Sequence, residues 1–165
     1  MNIYYLEMKN PNDLVPSGVL PDDMFIRECT VKRWRFNRFL YHYVGAKWDW
    51  NDKKEWTEKQ WQDYAEHKSL KTYVGFVEAT PIGYYELQAQ DMNTVQIMYF
   101  GLEPGFIGKG YGGQLLTNAV RQAWSWKAKR VWVSTCDLDH PAALQNYLKR
   151  GFKLYYTKNK TRCSQ

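Results

Sequence analysis

The sequence predicts an α+β domain whose sheet has one strand–helix–strand crossover in its C-terminal half. Three observations carry this. Strand-like and helix-like stretches follow a set order: strands and two helices, then strand, glycine loop, helix, strand, helix, strand. Val95 to Leu102 is almost wholly apolar, as a central strand covered on both faces must be. Directly after it, Gly105 to Gly113 carries five glycines in nine residues and feeds a helix. At 165 residues the chain is long enough for one domain of ordinary size and too short for two, so residues 1–165 are expected to form a single domain.

The elements follow from local chemistry. Ile3, Tyr4, Tyr5 and Leu6 make Met1 to Lys9 a strand, and Pro11, Pro16, Gly18 and Pro21 mark 10–23 as loop. Phe25 to Cys29 is extended. Thr30 can cap a helix running to Val44, with Trp34, Phe39, Leu40 and Tyr43 near helical spacing, and Gly45 suits a left-handed residue at its end. Thr57 and Gln60 fit a capping box, with Trp56 and Trp61 as its hydrophobic staple, for a second helix ending near His67. Residues 72–78 and 81–88, joined by Ala79-Thr80, read as an antiparallel hairpin. Leu115, Leu116, Ala119, Val120 and Ala123 give a helix from Gly112 to about Lys127. Val131 to Thr135 is a strand. Pro141 fits the start of a last helix capped by Asp139 or His140 and stopped by Gly151, and Phe152 to Thr157 is a final strand.

Composition removes several classes. Hydrophobic residues make up 44% and charged residues 24%, which excludes a disordered chain, a collagen or a coiled coil. No apolar run approaches the roughly 18 residues that span a bilayer. Met1 to Lys9 has no basic start followed by an apolar block, so no secretory leader is expected. Cys29, Cys136 and Cys163 are odd in number and lack CxxC spacing, which argues against a disulfide framework or a zinc site and for a reducing cytoplasm. The net charge of +6 suits an anionic partner, but the basic residues are scattered, with no basic stripe or aromatic platform. Neither nucleic acid nor membrane is therefore the expected partner. Aromatics reach 17% and crowd into residues 25–64.

The glycine loop is the chemical signal. Such a loop aims successive backbone N–H groups outward at a helix N-terminus, where the dipole adds positive potential, and glycines let a phosphate or pyrophosphate approach the main chain. Gly108, Gly110 and Gly113 satisfy GxGxxG, but two thirds of the way along the chain, with too few residues left for a dinucleotide-binding domain. Lys109 lacks the following Ser or Thr of a Walker A loop.

The chain resembles the GNAT superfamily of N-acetyltransferases. That family's signature is Arg or Gln, two residues, Gly, one residue, then Gly or Ala; Ile107-Gly108-Lys109-Gly110-Tyr111-Gly112 matches it except at Ile107. Tyr99 to Pro104 is similar to the family's fourth strand and its exit. A second block, His140-Pro141-Ala142-Ala143 with Tyr147 and Gly151-Phe152, matches the family's Asn, two residues, Ala, Tyr and Gly-Phe, with His140 in the Asn position. The resemblance implies a mixed, mostly antiparallel sheet splayed between strands four and five and flanked by about four helices. It implies acetyl-CoA as cofactor. The pantetheine arm would pair with the backbone of Phe100, Gly101 and Leu102, and the pyrophosphate would sit on the amides of Gly108 to Gly113, so that Ile107, Gly108, Lys109, Gly110, Tyr111, Gly112 and Gly113, with His140 and Tyr147, form the cofactor site. Lys109, Lys127, Lys129 and Arg130 are candidates for a diffuse attraction to its phosphates.

Acetyl transfer to an amine needs loss of the ammonium proton, stabilisation of the thioester oxygen and protonation of the departing thiolate. The resemblance assigns the oxyanion to the Leu102 N–H and the proton to Tyr147. Glu86, flanked by apolar residues on its strand, is the candidate base, since burial there would raise its pKa. Gln96 stands near where related enzymes often hold a carboxylate, and a non-catalytic acyl-CoA-binding module is the alternative it leaves open. Cys136 lacks the His and Asp pattern of a nucleophile. Tyr41, Trp48 and Trp50, with Trp34 and Tyr43, are candidate walls of an acceptor pocket that includes Glu86, and Asp49, Asp52 or Glu55 can offer an anion to a cationic amine. The expected acceptor is a primary amine of a small molecule or peptide, attacked directly in a ternary complex. No metal is required, and a homodimer stays open.

Overall fold

A computed structural model describes residues 1–48 and 50–160; Asp49 and Cys163 lie outside them. Seven strands form one sheet: β1 (Asn2–Met8), β2 (Met24–Glu28), β3 (Leu70–Val77), β4 (Thr80–Gln90), β5 (Thr94–Leu102), β6 (Arg130–Cys136) and β7 (Lys153–Asn159). Four helices flank it: α1 (Trp34–Gly45), α2 (Glu58–Ala65), α3 (Tyr111–Ser125) and α4 (Ala143–Lys149). The strand order is β2-β3-β4-β5-β6-β1-β7. Every neighbouring pair is antiparallel except β5–β6, which α3 connects as a crossover. The α+β class, the crossover and the mostly antiparallel sheet are as expected.

One placement is not legible in the sequence. β1 lies between β6 and β7, antiparallel to both, from Ile3 opposite Cys136 to Met8 opposite Val131, and from Asn2 opposite Asn159 to Glu7 opposite Lys153. Its alternation suits the position. Leu6 and Met8 join the core under α3, while Glu7 pairs with Arg130 at 2.6 Å.

The sheet has a core on each face. Leu115, Leu116, Ala119, Val120 and Ala123 of α3 pack with Ile82, Leu87, Ile97 and Val133. On the other face Leu40 and Val44 of α1 pack with Val74 and Tyr84. The capping box of α2 is present, the Thr57 hydroxyl accepting from the Gln60 N–H and the Gln60 side chain from the Thr57 N–H. Trp56 meets Trp61 edge-on at 5.4 Å as the staple requires.

Three boundaries differ from expectation. α1 begins at Trp34, not beside Thr30, because the Trp34 N–H finds its acceptor in Glu66 at 3.1 Å. Gly45 is not left-handed and lies inside the helix; a Cβ there would meet Trp50 Cδ2 at 2.6 Å, so glycine is needed for close approach. α4 begins at Ala143, with Ala142 at its cap, and the His140 ring accepts from the Ala142 N–H just before the helix.

Candidate active site

The site begins at a parting of strands. β5 pairs with β6 only from Thr94 opposite Arg130 to Ile97 opposite Val133. At that point β5 carries a bulge, since Glu86 faces Tyr99 and Leu87 faces Ile97, leaving Met98 as the extra residue. The bulge bends β5, which stays with β4 as far as Leu102 opposite Gly83, while β6 stays with β1 as far as Cys136 opposite Ile3. A cleft of about 490 Å³ opens between Met98–Leu102 and Ser134–Thr135.

Backbone direction gives the cleft hydrogen-bond donors. The Glu103 N–H donates to Ile82 O on β4 at 2.8 Å. Successive N–H groups along a strand point to opposite sides, so those of Leu102 and Phe100 turn toward the gap. At one end stands the glycine loop. Gly108 has φ +82° and Gly110, the N-cap of α3, φ +87°, and the first turn of α3 has no side-chain cap. Around either glycine the space a Cβ would take is open. Beside Gly113 lies the Arg150 guanidinium, whose Nε is buried and has no partner. Free N–H groups and a helix dipole together fit a diphosphate; Arg150 lies outside the lining.

Tyr147 of α4 lines the cleft, 5% exposed, edge-on to Phe100 and Phe152 at 5.9 Å each. Burial, with the nearby Asp139 charge, pushes its hydroxyl well above the ordinary tyrosine value, so it keeps its proton at neutral pH. The segment between α1 and α2 closes the other end. Trp50 Nε1 donates to Asp139 Oδ1 at 3.3 Å, and Asp139 Oδ2 accepts from Thr135 and from the Cys136 N–H. Trp48 lies edge-on to His140 at 4.9 Å, and His140 Nδ1 accepts from the Ala142 N–H. Asp139, a cap candidate in the sequence, is thus the clasp between the two halves of the cleft mouth.

Phe100, Gly101, Leu102, Ile107, Gly108, Gly110, Gly112, Gly113, His140, Tyr147, Trp48 and Trp50 all line the cleft. Lys109 and Tyr111 do not. Lys109 lies over the Phe106 ring, and the Tyr111 hydroxyl donates to Asp23. Lys127, Lys129 and Arg130 sit at the far end of the 15-residue α3, roughly 22 Å from the loop at 1.5 Å per residue. Lys149 borders the cleft instead. Gln96 lies in the paired part of β5, accepting from Gln90 at 2.7 Å, outside the lining.

Glu86 and Tyr41 stand behind the cleft, on the α1–α2 side. Glu86 is 1% exposed; it accepts from Asn37 at 2.9 Å and from Tyr64 at 2.5 Å. Burial raises its carboxyl above glutamate's ordinary 4.5, against those two hydrogen bonds and the Lys53 charge. The wall between is Tyr99, which lines the cleft and donates to Asp52. Tyr41 donates to the same carboxylate at 3.0 Å. Burial alone would raise Asp52, but Tyr99, Lys53 and Tyr41 outweigh it and hold the carboxyl below its ordinary 3.8. Tyr99 left no signal in the sequence beyond being one aromatic in an apolar strand. Among the described residues no group of His, Cys, Asp and Glu could hold a metal, and no helix is long and apolar enough to cross a membrane.

With this geometry in place, the comparisons are specific. The model of the acetyltransferase (GNAT) family matches residues 31–152, and the chain belongs to that family. A GCN5-related N-acetyltransferase from Kribbella flavida superposes with a TM-score of 0.68 at 14% identity, over 95% of this chain and 56% of that one. An IAA acetyltransferase from Bacillus cereus gives 0.62 at 23% identity, over 81% and 79%. A GNAT family acetyltransferase from Elizabethkingia anophelis, with acetyl-CoA bound, gives 0.64 at 21%, over 82% and 80%. The chain spans 49% to 58% of the lengths of the first three structures it matches. No curated protein matches the sequence.

Proposed function

We propose that this domain is an acetyl-CoA-dependent N-acetyltransferase acting on a primary amine of a small molecule or peptide, by direct attack in a ternary complex. The observation that supports it most is the splayed β5–β6 gap, lined by the loop glycines and by the buried Tyr147. Phe100 and Leu102 would hold the pantetheine arm, and Gly108 to Gly113 the diphosphate. Acetyl-CoA, when bound, supplies an activated acetyl thioester. The Leu102 N–H polarises the acyl oxygen, a fixed dipole needing no reorganisation. Tyr147 Oη, still protonated at neutral pH, gives its proton to the departing sulfur. Trp48 and Trp50 wall the mouth.

The acceptor side is the α1–α2 segment. Asp52 is ionised and accepts from Tyr99, which lines the cleft, so it supplies the charge that attracts the ammonium, whose proton passes to solvent. Sealed by Asn37 and Tyr64, Glu86 has no direct path to the cleft, and we assign it a positioning role under that segment. Release of free thiol from acetyl-CoA across a panel of primary amines tests the proposal. Acceptor-dependent release supports it. Tight binding of coenzyme A with no release under any amine would replace it with a non-catalytic acyl-CoA-binding module.

A further inference from the structure

Lys53 is the one Lys or Arg buried among the described residues, at 6% exposure. Its Nζ lies 3.9 Å from the Trp56 ring centroid, 4.5 Å from that of Tyr64 and 4.9 Å from that of Tyr99. Asp52 Oδ2 is 3.4 Å away, and Glu86 is near enough to act on the same charge. An ion pair needs one carboxylate. Three aromatic rings around an ammonium, backed by two carboxylates, is the arrangement of a cation receptor.

Two more observations point to a ligand. The Tyr84 hydroxyl is fully buried with no partner, in the cluster against which Tyr99 of the box packs. A buried polar group beside the box is thus left unused. The box also lies between two openings. Trp56 and Tyr64 line an open groove of about 400 Å³ with Asp63 and Gln88, and Tyr99 lines the cleft. Lys53 reaches it from the α1–α2 segment on a four-carbon stem, so the occupant now seated is a linear alkylammonium.

We propose that this box is a receptor for the alkylammonium group of the acceptor, and that Lys53 is its resident occupant, a competitor within the chain that the acceptor must displace. The use as an acceptor seat rests on the acetyltransferase reading; the receptor itself does not. Occupation by Lys53 lowers the acceptor's apparent affinity by the fraction of molecules in which the box stands open.

The test is Lys53→Ala, which empties the box, with n-butylammonium chloride as the probe. Thermal melting of the variant should rise by several degrees with the probe and not with 1-butanol, while the wild type hardly responds. In the thiol-release assay the same variant should show KM for linear cationic amines lower by about tenfold. Equal response of variant and wild type to n-butylammonium overturns the receptor. If the variant does not fold, labelling of Lys53 in the wild type by a water-soluble succinimidyl ester decides. Saturating N,N-dimethylbutylamine should raise it several-fold, and an unchanged rate overturns the proposal. If the probe acts as expected but no amine releases thiol, the receptor stands and the acetyltransferase reading falls.

Discussion

Tyr147 and Asp52 carry opposite charges of proof at the level of single residues. Tyr147→Phe keeps the edge-on contacts to Phe100 and Phe152 and removes only the hydroxyl. Turnover should drop by about 10²-fold or more, the usual range for losing a general acid, with coenzyme A affinity unchanged by calorimetry. Asp52 predicts a pH effect. Its folded carboxyl titrates below 3.8, so the stability it supplies is present above that value and is lost as pH falls through the folded pKa. Asp52→Asn should flatten the acid limb of a plot of Tm against pH and raise KM for cationic amines. Tyr147 was expected through the family resemblance, as the tyrosine of the block that ends in Gly151-Phe152. Asp52 stood as one of three neighbouring acids, and only the hydroxyls of Tyr41 and Tyr99 single it out. Glu86 shows the limit of pattern reading. An acid in an apolar strand is flagged by its burial, but the strand pattern does not say which side of Tyr99 it faces.

Among the elements, the glycines divide by physical cause. Gly110 needs its positive φ, so Gly110→Ala should cost about 1–2 kcal/mol in urea unfolding and weaken coenzyme A binding with it. Gly45 needs its missing side chain. Gly45→Ala should cost about 1–3 kcal/mol from overpacking and push Trp50 from its seat against Asp139, which a shift in tryptophan emission would report. Gly45 was visible in the sequence as a helix-end residue and Gly110 as a member of the glycine loop. Only the path of the α1–α2 segment, folding Trp50 back over α1, separates the two causes. The capping box of α2 could be read directly, because all its parts lie within four residues. The start of α1 could not, because its first N–H is met by Glu66 from another helix.

For the whole molecule, the order of elements along the chain gave the class and the crossover, since a parallel neighbour demands a connecting helix. Strand order is a different matter. The alternation in β1 says which face is buried and nothing about its neighbours, so its seat between β6 and β7 had no sequence signal. Removing residues 1–9 should therefore abolish the native fold, with loss of near-ultraviolet dichroism and of solubility, because β6 and β7 would be left with unpaired edges in mid-sheet. The same arrangement sets a timetable. β1 finds its hydrogen-bond partners only after residues 130–159 have followed it. Until then its ladder groups wait in water, and the loop that must close holds every strand from β2 to β5. The half of the cleft wall supplied by β6 rests on that late closure, so the cleft takes shape only after β1 has found its seat.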